Sequence, residues 1–301
     1  FFIDLVDCED VRVRGVTFID APHWTFRVLR CRRVSFLDVV IDNDLGIPNS
    51  DGIHVSACQQ VRIANCDISA GDDAIALTTV TVQHGAPDGL PPERKILENV
   101  VVSNCVLRSR SGGVRIGYGQ TDMRRIVLSN LVIHGSNRGI GLFARDGGGV
   151  RDVLCENIII ETDLVSGHWW GKGDPIQVSS VPWECEKPGV VQNIRFRGIS
   201  TRSPASAVVF AQKPGEVRDV SFENVSMRLQ ASGLQDAYGG NVDLRPTNDL
   251  SIGLFAHEMP ALLARGAEGL SVRDLRVQWG EGLPDWFTRP VHCRGCRYVR
   301  I

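Results

Sequence analysis

The chain has 301 residues, of which 43% are hydrophobic and 23% charged, with a net charge of −2. That near-neutral balance offers no electrostatic hold on nucleic acid or an anionic membrane surface. No run of about 18 apolar residues could span a bilayer. The sequence begins at Phe1 without a methionine and ends at Ile301 within what reads as a new strand. Residues 1–301 are therefore expected to be a single domain, truncated at both ends, with no signal for oligomeric state.

A segment of the form V-x-h-x-N/D/G-h-x-h recurs from one end to the other, starting at Val11, Val34, Val61, Val100, Ile126, Val153, Ile194, Val220 and Leu270. The starts are separated by 23, 27, 39, 26, 27, 41, 26 and 50 residues. A coil of 23 to 27 residues with three insertions, near 78 to 96, 161 to 190 and 228 to 268, accounts for that series. Alternation such as Val61-Arg62-Ile63-Ala64 predicts strands. Asn65, Asn104, Asn130, Asn157, Gly198 and Asn224, at the fifth position, suit a bend.

A second apolar segment follows in most coils, as in Gly52-Ile53-His54-Val55, Ala74-Ile75-Ala76-Leu77, Gly113-Val114-Arg115-Ile116, Gly139-Ile140-Gly141-Leu142, Pro175-Ile176-Gln177-Val178 and Ala207-Val208-Val209-Phe210. Each coil then feeds more than one sheet, and no segment has the sustained period of a long helix. The predicted fold is all-β: a right-handed parallel β-helix of about ten coils, roughly 48 Å long at a strand spacing of about 4.8 Å.

Cys8, Cys31, Cys58 and Cys296 each lie three residues before a strand start, a slot filled elsewhere by Leu97, Met123 and Val150. They are expected to be buried thiols of an apolar ladder rather than disulfides. Cys293 and Cys296 form a lone C-x-x-C with no second pair to complete a zinc site.

Aligning the second segments gathers chemistry into columns. Asp51 falls in one column with Asp73, Gly112, Arg138 and Asp174; Ser50, Asp72, Ser111, Asn137 and Gly173 form the column before it. Three residues further on come His54, Ala76, Arg115, Gly141 and Gln177. In register, Asp51 and Asp73 are neighbours on adjacent strands, and like charges that close push one carboxyl pKa upward. Stacked aspartates can also serve as bend caps, but three in two adjoining motifs repel one another and point to function.

Asn49-Ser50-Asp51-Gly52 and Gly71-Asp72-Asp73, with Asp72 21 positions after Asp51, resemble the motifs of the polygalacturonase-like glycoside hydrolases of family 28, which are parallel β-helices acting on pectic polysaccharides. The resemblance implies that Asp72 protonates the glycosidic oxygen while Asp51 and Asp73 hold and activate water, giving inversion without a metal or organic cofactor. It also implies a polysaccharide or oligosaccharide substrate and a secreted or periplasmic location.

The family's Gly-His-Gly is replaced by Ser111-Gly112-Gly113, and its Arg-Ile-Lys by Gly141-Leu142-Phe143. Plain polygalacturonate is therefore not the expected substrate; an acidic or decorated polysaccharide is. Candidate substrate-binding residues are Asn49 and His54, with Arg115, Arg138, Arg145 and Lys172 as sources of positive charge. The glycine-flanked stretch His168-Trp169-Trp170-Gly171-Lys172-Gly173-Asp174 reads as a binding loop, its indoles suited to stack on sugar faces and His168 placed to replace the missing histidine. Two other classes fit the same columns. A polysaccharide lyase or uronate epimerase would use carboxylate-bound calcium and Arg115 or Lys172 as base, and a non-catalytic carbohydrate-binding or tailspike-like solenoid would only bind.

Overall fold

In the computed structural model, which describes residues 1–80 and 95–301, the chain winds as a right-handed parallel β-helix. The expected insertion near 78 to 96 lies mostly outside the described residues. One sheet takes a single strand from each coil: Ile3–Val6, Phe26–Leu29, Ile53–Ser56, Ile75–Thr78, Gly112–Ile116, Arg138–Ala144, Ile176–Ser180, Ala207–Ala211, Leu262–Arg265 and Val291–Arg294. These ten strands match the predicted coil number. A second sheet collects the remaining parallel segments, short pairs such as Gln59–Ala64 and Asp67–Ala70 in early coils and single bent strands such as Met123–Ser136 and Val150–Thr162 in later ones.

The register follows the sequence repeat. Val34 lies beside Val61, Val61 beside Val100, and the row continues through Ile126, Val153, Ile194 and Val220. At the bends, Asn65, Asn104, Asn130, Asn157 and Asn224 adopt φ of 52 to 55°, the left-handed region that asparagine tolerates better than most residues. Their side chains also stack: Asn104 Nδ2 donates to Asn65 Oδ1, Asn130 to Asn104 and Asn157 to Asn130, at 3.3, 3.1 and 2.7 Å.

Alternation divides each strand of the first sheet between the core and the outer face. Phe26, Ile53, Ile75, Val114, Ile140 and Ile176 make one inward row and Val28, Val55, Leu77, Ile116, Leu142 and Val178 another, all at 0 to 1% exposure. Each such side chain contributes roughly 1.5–3 kcal/mol by leaving water. The residues between the rows, His54, Ala76, Arg115, Gly141 and Gln177, are consecutive neighbours facing outward.

All nine cysteines are free thiols. Cys31 and Cys58 are fully buried, and each accepts the backbone N–H of the cysteine one coil earlier, Cys8 or Cys31. Cys293 and Cys296 pack partly buried on the end of the core.

The third insertion, between the strands Val217–Leu229 and Leu262–Arg265, forms two four-residue helices, Gln235–Tyr238 and Leu250–Gly253, and an antiparallel ribbon of Asn241–Asp243 with Leu254–Ala256. Val242, Leu244, Met259 and Phe210 build a small second core that fastens it to the rod.

Candidate active site

The two acidic motifs are locked together by hydrogen bonds between their loops. Ser50 Oγ donates to Ile47 O and accepts the Gly71 N–H at 3.0 Å, so the first motif holds the start of the second. Buried Asn43 donates to Ser50 O and Thr25 Oγ1, tying in the preceding coil. Only glycine fits at 52 and 71, because a Cβ there would collide with the Ala74 and Ile47 carbonyl oxygens. The bend hydrogen bonds Thr25 N–H to Asp51 O and Gly52 N–H to Asp73 O carry the ladder through this region. Asp51 and Asp73 thus stand on adjacent coils, as the columns require.

All three carboxylates line one open cleft of about 190 Å³. Asp51 and Asp73 are 2% and 4% exposed, and Asp72 is half-buried. Asp73 is held on both sides: its Oδ1 accepts the Gly112 N–H at 3.1 Å, and its Oδ2 is ion-paired with Arg115 Nε. Arg115 also lies 3.9 Å from Asp51 Oδ2 through Nη2 and donates Nη1 to Gly117 O at 2.6 Å. Burial opposes its charge, but Asp73, Tyr118 and Asp51 raise its pKa. Asp51 Oδ2 is 3.1 Å from His54 Nδ1, and His54 Nε2 is 3.2 Å from Thr78 Oγ1. The Trp24 indole stacks on the imidazole, with ring centroids 3.7 Å apart.

Desolvation pushes the Asp51 and Asp72 carboxyls well above the usual range. Asp73 adds to the shift at Asp51, and Asp51 and Asp73 add to it at Asp72, while Arg115 opposes both. Ser111 hydrogen-bonds to Asp72, and Ser109 Oγ donates to its carbonyl at 2.5 Å. The site therefore combines a half-buried carboxyl biased toward its protonated form with a neighbouring carboxylate fixed against a guanidinium.

Of the residues expected to bind substrate, Asn49, His54, Arg115, Arg138 and Trp170 line the cleft together with the aspartates. Arg138 is buried, donating Nε to Asp174 Oδ2 at 2.5 Å and Nη2 to Asp243 O at 3.1 Å. Asp174 is thus its counter-ion rather than part of the lining. Arg145, 0% exposed, lies off the cleft, with its guanidinium hydrogen-bonded to the carbonyls of Ala144, Ser179 and Leu244. Burial lowers its pKa to about 10. Lys172 is buried with Nζ 5.0 Å from the Tyr238 ring centre, where desolvation lowers its pKa. His168 is exposed and, like Trp169, outside the lining. The loop thus brings Trp170 alone of its expected binding residues to the cleft lining; Arg145, His168, Trp169, Lys172 and Asp174 lie outside it.

Trp170 is held from two directions. Asn137 Nδ2 donates to the carbonyls of Trp170 and Gly171 at 2.9 and 3.0 Å, and the Gly171 N–H donates to Asp243 Oδ2 at 2.9 Å. Arg245 pairs with the same carboxylate and donates to Trp169 O.

Trp24, Tyr118, Phe143, Trp183 and Glu184 also line the cleft and were not expected to. Trp24 carried a legible signal: extending the Asp51 column one coil back lands on it, since Phe26 pairs with Ile53. Tyr118 and Trp183 lie in loops beyond the strands, where the repeat alignment does not reach. The Phe143 ring folds back over Gly141, within about 2.5 Å of where a Cβ would stand, and occupies the outer face there.

The family model of the glycosyl hydrolases family 28 matches residues 1–142, a span that contains all three aspartates, Arg115 and Arg138. A "Probable polygalacturonase" from Vitis vinifera is 22% identical over 209 residues, covering 69% of this chain and 42% of that protein. A polygalacturonase from Medicago sativa is 34% identical over 118 residues, covering 35% and 28%. Over residues 1–142 the chain is similar to the family 28 glycosyl hydrolases. Among solved structures, the family 28 exopolygalacturonase of Yersinia enterocolitica superposes with a TM-score of 0.57 at 16% identity, covering 91% of this chain and 42% of that one. The hyperthermoactive exopolygalacturonase of Thermotoga maritima gives 0.51 at 16%, covering 97% and 54%. At those identities the family 28 structures speak to the fold. The chain spans less than half the length of the curated relatives named here.

Proposed function

We propose that this chain is a single β-helical glycoside hydrolase domain that cleaves a pectic or other decorated polysaccharide with inversion. Asp72 is the general acid, and Asp51 and Asp73 position and activate the attacking water. The observation that carries this reading is the convergence of three carboxylates in one cleft with unlike surroundings. Asp72 is biased toward the protonated form that an acid needs, while Asp73 is fixed as the partner of Arg115. His54, between Asp51 and Thr78, orients the Asp51 carboxyl rather than gripping sugar.

The arrangement disfavours a lyase or epimerase working through the basic residues named for it. Arg115 holds its proton against two carboxylates, and Lys172 lies outside the cleft lining. No helix among the described residues is long and apolar enough to cross a membrane, and we place the protein in a secreted or periplasmic setting because its substrate is there. The test is release of reducing ends from a polysaccharide panel by the native chain and by Asp72→Asn. Products whose anomeric configuration is inverted, lost with Asp72→Asn, support the assignment; equal activity in both overturns it.

A further inference from the structure

The cleft joins an acidic floor to aromatic walls, and the cations in its lining are already committed. Arg115 directs Nε to Asp73 and Nη1 to Gly117 O, with Nη2 close to Asp51. Arg138 directs Nε to Asp174 and Nη2 to the Asp243 carbonyl. Glu184 adds a further carboxylate at the exposed rim. Even with Asp72 protonated, each lining guanidinium is matched by a carboxylate, so among the described residues no guanidinium of the lining is left unpaired to face a bound sugar. A carboxylate on that sugar would enter a site lined by acidic side chains, and like-charge juxtaposition of this kind disfavours binding.

The walls offer a different chemistry. Trp24, Tyr118, Trp170 and Trp183 are half-buried and line the cleft. Tyr118 is braced by Phe143 and Trp183 at centroid distances of 5.9 and 5.5 Å. Such rings pack against the C–H faces of a sugar, an interaction that asks for no charge.

We infer that the glycosyl residue seated over Asp51, Asp72 and Asp73 carries no free carboxylate, being either a neutral sugar or a uronosyl residue whose acid is masked as an ester. This rests on the glycoside hydrolase reading for its site but not for its test. Binding of three oligosaccharides of equal length to Asp72→Asn, which removes turnover, is measured by titration calorimetry: unesterified oligogalacturonate, its fully methyl-esterified form and a neutral galactan oligosaccharide. At least one uncharged ligand is expected to bind about tenfold or more tighter than the unesterified acid. Preference for the ester alone identifies a masked uronosyl residue, and preference for galactan a neutral sugar. Equal or tighter binding of the unesterified acid, or no binding of either uncharged ligand, overturns the inference. Because binding is read without catalysis, a native chain that binds but hydrolyses none of the three would count against the hydrolase reading alone.

Discussion

The Gly171 N–H donates to Asp243 Oδ2 at 2.9 Å, joining two insertions 72 residues apart in the sequence. Asp243 also accepts from Arg245 and, through its carbonyl, from Arg138 and Gln177. Replacing it by alanine leaves the buried Gly171 donor unpaired and Arg245, about a third exposed, without its partner. The expected cost is on the order of 2–3 kcal/mol in denaturant unfolding. Because Trp170 adjoins Gly171, KM should rise more than kcat falls. A kcat loss at constant KM would show that the contact supports the catalytic floor instead.

Asp72→Asn should lower kcat by about 10²–10⁴-fold with little change in KM, the range for loss of a general acid. The same substitution should stabilise the fold at neutral pH. Asp72 has a folded-state pKa raised by burial and by Asp51 and Asp73, so the folded chain binds a proton that the unfolded chain has released. Its contribution to stability therefore falls as pH rises from the ordinary carboxylate range to the raised value, and stays low above it. Asparagine does not titrate. Thermal melts should show a higher Tm than native at pH 8 and a smaller gain at pH 4; a gain independent of pH would contradict the charge argument.

Arg115→Met removes the cation that pulls both the Asp51 and Asp72 pKa values downward. With it gone, both carboxyls hold their protons to higher pH. If protonated Asp72 is the acid, the alkaline limb of the kcat/KM profile should move up in pH even as the overall rate drops. A limb that stays put or moves down would remove Asp72 from that limb.

Asn130 separates backbone from side-chain contributions at the bends. It has φ of 55°, donates to Asn104 and accepts from Asn157. Asn130→Ala should cost about 1–2 kcal/mol, because alanine is strained in the left-handed region. Asn130→Gly should cost less, since glycine enters that region freely and the lost hydrogen bonds are solvent-exposed. Equal losses in urea unfolding would assign the stabilisation to the asparagine ladder itself.

The coil starts at Val34, Val61 and Val100 were legible because a stacked coil must present the same inward pattern each time it returns, and that pattern is written at a constant spacing. The same spacing carried Asp51, Asp73 and Arg115 to one face. It could not say which way a long side chain turns. Arg145 follows the strand Arg138–Ala144 at the edge of that face, yet its guanidinium folds inward onto backbone carbonyls. Tyr118 and Trp183 escaped because loops beyond the strands follow no repeat. The placement of Lys172 and Asp174 was not legible because their partners, Tyr238 and Arg138, lie 66 and 36 residues away, and nothing in the local sequence marks such pairs.

The strand Ile176–Ser180 keeps its register with Arg138–Ala144 and Ala207–Ala211 despite the chain that loops out on either side. The aspartates sit at the entries to the strands Ile53–Ser56 and Ile75–Thr78 of the rod, whereas Trp170 and Trp183 ride on the excursions. A change of length or sequence in the excursions around Trp170 and Trp183 would therefore alter the cleft walls while leaving the strand register that sets Asp51 beside Asp73 in place.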